Sequence, residues 1–114
     1  MKKIIIGIAI FIMYMTGVQV MAQKVFSCEY RSQADVKVYV VDYRSQADLI
    51  VYKCDYRSEA DGNEGMWYFC EYSSQADKKI YFVDHDYQAD LLICFVDNSY
   101  QAGWKEMGKY HLME

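Results

Sequence analysis

From Lys24 onward the chain alternates short apolar runs with short polar breaks. The runs are Val36–Val41, Leu49–Tyr52, Met66–Cys70, Lys79–Val83 and Leu91–Val96, with a first one at Lys24–Cys28. They are four to six residues long, dense in β-branched and aromatic side chains, and contain no Pro. That is the pattern of strands, not of helices. Ser, Asp and Gln fill the breaks, and such segments bond to their own backbone in turns. The polar half is compatible with a turn, a second short strand or one helical turn.

The alternation is a true repeat. CEYRSQAD starts at Cys28, VDYRSQAD at Val41, CDYRSEAD at Cys54 and CEYSSQAD at Cys70. VDHDYQAD at Val83 and VDNSYQAG at Val96 are weaker copies. The marker residues Ala34, Ala47, Ala60, Ala76, Ala89 and Ala102 are spaced 13, 13, 16, 13 and 13 apart. The one long spacing holds Gly62-Asn63-Glu64-Gly65, an insertion of turn-forming residues near 62–65. Thirteen residues suit one strand and a return, and are too few for a four-strand propeller blade. The expectation is an all-β fold, small and repetitive. Its equivalent residues would form ladders: Tyr30, Tyr43, Tyr56 and Tyr72; Arg31, Arg44 and Arg57; Gln33, Gln46, Gln75, Gln88 and Gln101. The recurring Ala implies a contact where nothing larger fits.

The repeated Tyr-Arg-Ser-Gln-Ala-Asp unit, followed by a Val/Tyr-rich strand, resembles the septoil-knot domain family of small bacterial proteins. The resemblance spans Lys24 to about Lys105. It implies an all-β fold whose backbone winds as a seven-crossing torus knot, against the general rule that chains do not thread themselves. One local winding rule applied repeatedly can produce such a path. The resemblance implies no activity and no catalytic residue. The last two copies depart from the motif. His85 and Asn98 replace the Tyr, Asp86 and Ser99 the Arg, and Gly103 the final Asp.

Ahead of the repeats, residues 1–22 read as a signal peptide. Lys2 and Lys3 precede an apolar stretch, and Val20-Met21-Ala22 offers a cleavage site before Gln23. The alternative is a membrane anchor, for which the 17 residues from Ile4 to Val20 are at the short limit. A lipoprotein reading at Cys28 is set aside, because that residue belongs to the first repeat. Export followed by cleavage leaves a single domain, 23–114, outside the cell membrane and with a cap at 103–114. Trp104 and Tyr110 are the capping candidates.

Charge and candidate chemistry narrow the function. The mature domain keeps 10 basic side chains against 16 acidic ones. That balance argues against nucleic acid and against anionic membranes, which need a basic patch. A monomer is expected. Four cysteines, Cys28, Cys54, Cys70 and Cys94, suit two disulfides in an exported chain; free buried thiols are the other option. Their spacing does not match a zinc site.

Acidic residues recur before the Tyr position and after the Ala. Stacked carboxylates suggest calcium, but no copy has a calcium loop's run of ligands and Gly. Turn capping and pairing with Arg31, Arg44 and Arg57 is the preferred reading. Strand residues Tyr39, Tyr52, Tyr68 and Tyr81 share one register. The motif tyrosines are therefore read as stacked parts of the fold, along with the motif Arg, Gln and Ala residues. His85 replaces a motif Tyr, and His111 lies in the tail. No nucleophile, phosphate loop or metalloprotease motif is present. The sequence thus points to an exported, non-catalytic structural or interaction module without a cofactor. The first alternative is a binding module for a glycan, a protein or calcium using the Tyr and Asp ladders, and the second, least favoured, is an enzyme. The structural and binding readings differ in whether the motif Tyr rings are buried or share an open face.

Overall fold

The computed structural model describes residues 23–60 and 62–114. The export signal read at 1–22, and Asp61, lie outside the described residues. Seven strands form: β1 (Lys24–Ser27), β2 (Val36–Val40), β3 (Leu49–Lys53), β4 (Met66–Phe69), β5 (Lys78–Phe82), β6 (Leu91–Val96) and the short β7 (Gly103–Trp104). The first six close into a parallel barrel in the order β1-β5-β2-β6-β3-β4.

Each polar half forms one 3₁₀ turn: Arg31–Gln33, Arg44–Gln46, Arg57–Glu59, Ser73–Gln75, Asp86–Gln88 and Ser99–Gln101. Of the three forms open to the polar half, it takes the single helical turn. We call these connections arches 1 to 6, because most of them carry the chain over an intervening strand. Arch 1 links β1 to β2 across β5. Ser27 and Val36 both pair with Ile80, so the arch leaves and lands at one level. Arch 2 does the same across β6, with Val40 and Leu49 both opposite Ile93.

The arches are tied down at both ends. Backbone N–H groups of Cys28, Val41, Cys54, Cys70 and Val83 donate to the strand beneath over 2.7–2.9 Å. At the far end Asp35, Asp48, Asp77 and Asp90 each bond twice to one strand residue. Asp35 N donates to the Lys79 carbonyl (2.7 Å), and its Oδ2 accepts from Lys79 N (2.9 Å). Asp48 does this with Leu92, Asp77 with Lys24 and Asp90 with Lys37. The carboxylate stands in for the acceptor that the next ladder residue would have supplied. That explains an Asp after each of these Ala positions.

This winding overturns the expected ladders. Except at the β3–β4 seam that closes the barrel, strands neighbour strands three or four places away in sequence, so residues 13 apart stand two strands apart with another strand between them. Tyr30, Tyr43 and Tyr56 therefore cannot stack in succession. Repeat-equivalent residues instead form rings within the barrel. Val25, Val38, Val51, Trp67, Ile80 and Ile93 share one inward position, and all are 0% exposed. Two residues further along each strand, Phe69, Phe82 and Phe95 gather at one end of the barrel. Phe69 lies 6.4 Å from each of the other two ring centroids, and Lys53 Nζ sits 5.2 Å above Phe69.

The opposite end is closed by the tail. Residues Met107–Met113 form a 3₁₀ helix that puts Met113 into the core. Gln23 Nε2 donates to the Met113 carbonyl (2.9 Å). The insertion near 62–65 receives this cap. Trp104 Nε1 donates to the Asn63 carbonyl (2.9 Å), and Asn63 Nδ2 to the Tyr110 carbonyl (3.1 Å). Trp104 and Tyr110 also meet ring to ring at 5.6 Å.

Closure depends on two glycines. Strand β3 shares one edge between two partners. Tyr52 and Lys53 pair with β4, while Leu49 and Ile50 pair antiparallel with β7. Gly103, where other copies have Asp, has φ +152° and turns β7 back along β3. Gly65 (φ +85°) lies where β4 and β7 meet, and a Cβ there would overlap the Ile50 carbonyl oxygen.

Candidate functional site

Around the outside of the barrel the arches form a belt. By the strands they cross, arches carrying Arg31, Arg44 and Arg57 alternate with arches carrying Ser73, Asp86 and Ser99. The motif residues expected to hold the fold together divide into two groups. Ala47 and Ala60 are buried, and Ala34, Ala76, Ala89 and Ala102 are half-buried, against the strands below. A larger side chain at these positions would lift the arch. Tyr30, Tyr43, Tyr56 and Tyr72 instead project outward and are 63–70% exposed.

The arginines are exposed too, as are Gln33, Gln46 and Gln75. Arg31, Arg44 and Arg57 form no ion pair among the described residues, so the Asp–Arg pairing expected from sequence is replaced by the Asp–backbone bonds above. The pair that does form is Lys109 Nζ to Asp48 Oδ2, at 3.0 Å. At the Gln position a side chain can close its own arch. Glu59 Oε1 accepts from Asp55 N and Tyr56 N, and Gln88 Oε1 accepts from His85 N.

The structure adds two tyrosines that the motif did not mark. In arch 5 His85 occupies the Tyr position and Tyr87 follows two residues later; in arch 6 Asn98 does so and Tyr100 follows. Tyr87 is 79% exposed and Tyr100 83%. Each arch therefore carries one exposed tyrosine, even where the motif has decayed. The signal was present in the sequence as a Tyr shifted by two residues. In arch 5 the displaced ring stacks on His85 at 5.3 Å.

The cysteines are not part of a site. All four are free and buried, so the disulfide option is not taken up. Cys28, Cys54 and Cys70 stand where Val41 and Val83 stand in other copies, under the start of an arch. They act as small apolar fillers. Cys94 takes the strand position held elsewhere by Tyr39, Tyr52, Tyr68 and Tyr81, and packs under arch 2 with Val41, Ala47 and Ile50. Burial pushes the Cys28, Cys54 and Cys70 thiols up, Cys54 to about 11, with Glu59 and Asp55 adding to the Cys54 shift. At neutral pH these are protonated thiols, poor as nucleophiles and as metal ligands. The recurring carboxylates of Asp35, Asp48, Asp77 and Asp90 are engaged with backbone. Among the described residues no three His, Cys, Asp or Glu converge to hold a metal ion. No helix there is long and apolar enough to cross a membrane.

Between neighbouring arches lie grooves. One of 260 Å³ separates arches 1 and 4, lined by Gln33, Ser73 and Lys79 among others. One of 420 Å³ separates arches 2 and 5, with Asp42, Gln46 and Asp86. A third, of 640 Å³, separates arches 2 and 6 beside β7.

A closed six-strand parallel barrel wrapped by tied arches, with one strand outside it, defines a small repeat-built β protein. A family model described as the 7(1) septoil knot domain matches residues 22–105, and the chain belongs to that family. No curated protein and no solved structure matches it.

Proposed function

We propose that the protein is an exported, non-catalytic interaction module that presents a belt of tyrosines to a partner. One observation carries this reading: all six arches expose a tyrosine, and the two arches that lose the motif Tyr carry one two residues on. A ring needed for packing would keep its position. A ring needed for contact must only stay exposed. Tyrosine suits contact because it offers a large, rigid, amphipathic face at low entropic cost. What supports export is the charged, apolar and Ala-terminated pattern of residues 1–22, together with a family match that begins at residue 22.

The test replaces Tyr30, Tyr43, Tyr56, Tyr72, Tyr87 and Tyr100 by Ser, singly and together, and follows urea unfolding. Each single change should shift the unfolding free energy by no more than about 0.5 kcal/mol, as for surface positions. Losses of about 2 kcal/mol or more at several positions would return these rings to architecture. Mass measurement of the exported chain tests the other half of the proposal, because a retained N-terminal segment contradicts cleavage.

A further inference from the structure

The groove between arches 2 and 6 differs from the other two in origin and in charge. It opens where Gly103 turns the chain back along β3, so it interrupts the repeat pattern. Its floor is Ile50, and Tyr43 and Trp104 supply aromatic surface. Arg44 and Lys105 are its charged residues, and Ser45 and Gln101 its hydrogen-bonding ones. No carboxylate lines it among the described residues, although the chain carries a net charge of −4. By contrast, Asp42 and Asp86 line the groove between arches 2 and 5.

The wall formed by Trp104 and Lys105 is held in place before any ligand arrives. Trp104 is fixed by its bond to the Asn63 carbonyl and by Tyr110. The backbone N–H groups of Lys105 and Glu106 both donate to the Asp48 carbonyl (2.8 and 3.0 Å). The Glu106 carboxylate is turned into the tail, where it accepts from Gly108 N. A fixed Trp104 wall lowers the ordering cost of binding. The volume falls within the roughly 300–1,000 Å³ of small-ligand sites.

We infer that this groove binds an acidic saccharide, a sugar chain carrying carboxylates. Aromatic faces take the C–H side of a sugar ring, Ser45 and Gln101 suit its hydroxyls, and a guanidinium meets a carboxylate through paired N–H groups. The inference deepens the belt reading, since Tyr43 belongs to both.

The test is calorimetric titration of the full mature domain with a galacturonate oligosaccharide, and with a neutral gluco-oligosaccharide of equal length. The galacturonate should bind saturably and lose affinity as salt rises. Arg44→Ala should weaken it by about tenfold or more, the loss of a charge-assisted hydrogen-bond pair. Lys105→Ala should weaken it less, and Arg31→Ala, on an arch away from this groove, should leave it unchanged. Failure of the galacturonate to bind overturns the inference. So does binding that Arg44→Ala leaves intact, or equal binding of the neutral sugar. Those results would leave the tyrosine belt standing, because that reading is decided by the unfolding of the Tyr→Ser variants.

Discussion

Replacing Gly65 by Ala should destabilise the domain far more than its single added methyl suggests. Two separate costs arise. An L-residue at φ +85° meets its own backbone, at about 1–2 kcal/mol. The new Cβ would also overlap the Ile50 carbonyl oxygen and stand 3.2 Å from Gly103 N. Both are backbone atoms on β3 and β7, so no side chain can rotate away. Forcing atoms into a packed site adds about 1–3 kcal/mol. The shift would also strain the bond from Tyr52 N to the Gly65 carbonyl, 2.8 Å long. Together these give a loss of about 2–5 kcal/mol, a large part of the stability of a small domain.

Urea unfolding of the mature domain measures it, with Gly62→Ala as control. Gly62 also has positive φ (+66°), but nothing lies within 4 Å of a Cβ there. The control should lose only the conformational part, about 1–2 kcal/mol. The difference between the two variants isolates the steric overlap at the β3–β4–β7 junction. If both lose the same amount, or if Gly65→Ala is neutral, barrel closure at that junction is misassigned.

Two further outcomes follow from the arches and the thiols. Asp48→Ala removes the acceptor of Leu92 N and the partner of Lys109, and should cost about 1.5–3 kcal/mol in urea unfolding. Asp48→Asn keeps an acceptor and loses only the ion pair. Because Lys109 is 40% exposed, that pair is worth about 0.2–1 kcal/mol. Equal losses in the two variants would contradict the arch tie. Alkylation of Cys54 in the folded protein should accelerate as pH rises through about 11, against 9.0 for an unshifted thiol. The fold favours the neutral thiol. Its contribution to stability is complete below about pH 9 and fades as pH climbs towards 11. An alkylation midpoint near 9 in the folded state would contradict this.

The strands were legible because their signal is local. Val36–Val40, Leu49–Lys53 and Leu91–Val96 carry their β-branched density in five or six consecutive residues. The order of those strands was not legible. Pairing with strands three and four places away depends on how each arch lands, and hydrophobic pattern does not encode that. The ladder expected through Tyr30, Tyr43 and Tyr56 failed for this reason: a regular repeat suggests stacking of neighbours, and here the neighbours are interleaved.

The cysteines were not resolved by the sequence, which left two disulfides and free buried thiols both open. Cys28, Cys54 and Cys70 align with Val41 and Val83, a substitution that marks a small apolar site. The insertion near 62–65 was visible as a turn. Its role as the dock for Trp104 and Tyr110 needed the tail's position, about forty residues away in sequence. The candidate groove was hidden for the same reason, since Arg44 and Lys105 come together only once Gly103 has turned the chain.

The central claim is that the arch tyrosines face solvent and are available to a partner. Photo-CIDNP NMR tests it most directly, because a photoexcited flavin polarises only tyrosine rings that it can touch. Strong signals are expected from Tyr30, Tyr43, Tyr56, Tyr72, Tyr87 and Tyr100, and weaker ones from the half-buried Tyr39, Tyr52, Tyr68 and Tyr81. Silent arch tyrosines would show that the rings pack inside the fold, and would contradict the account.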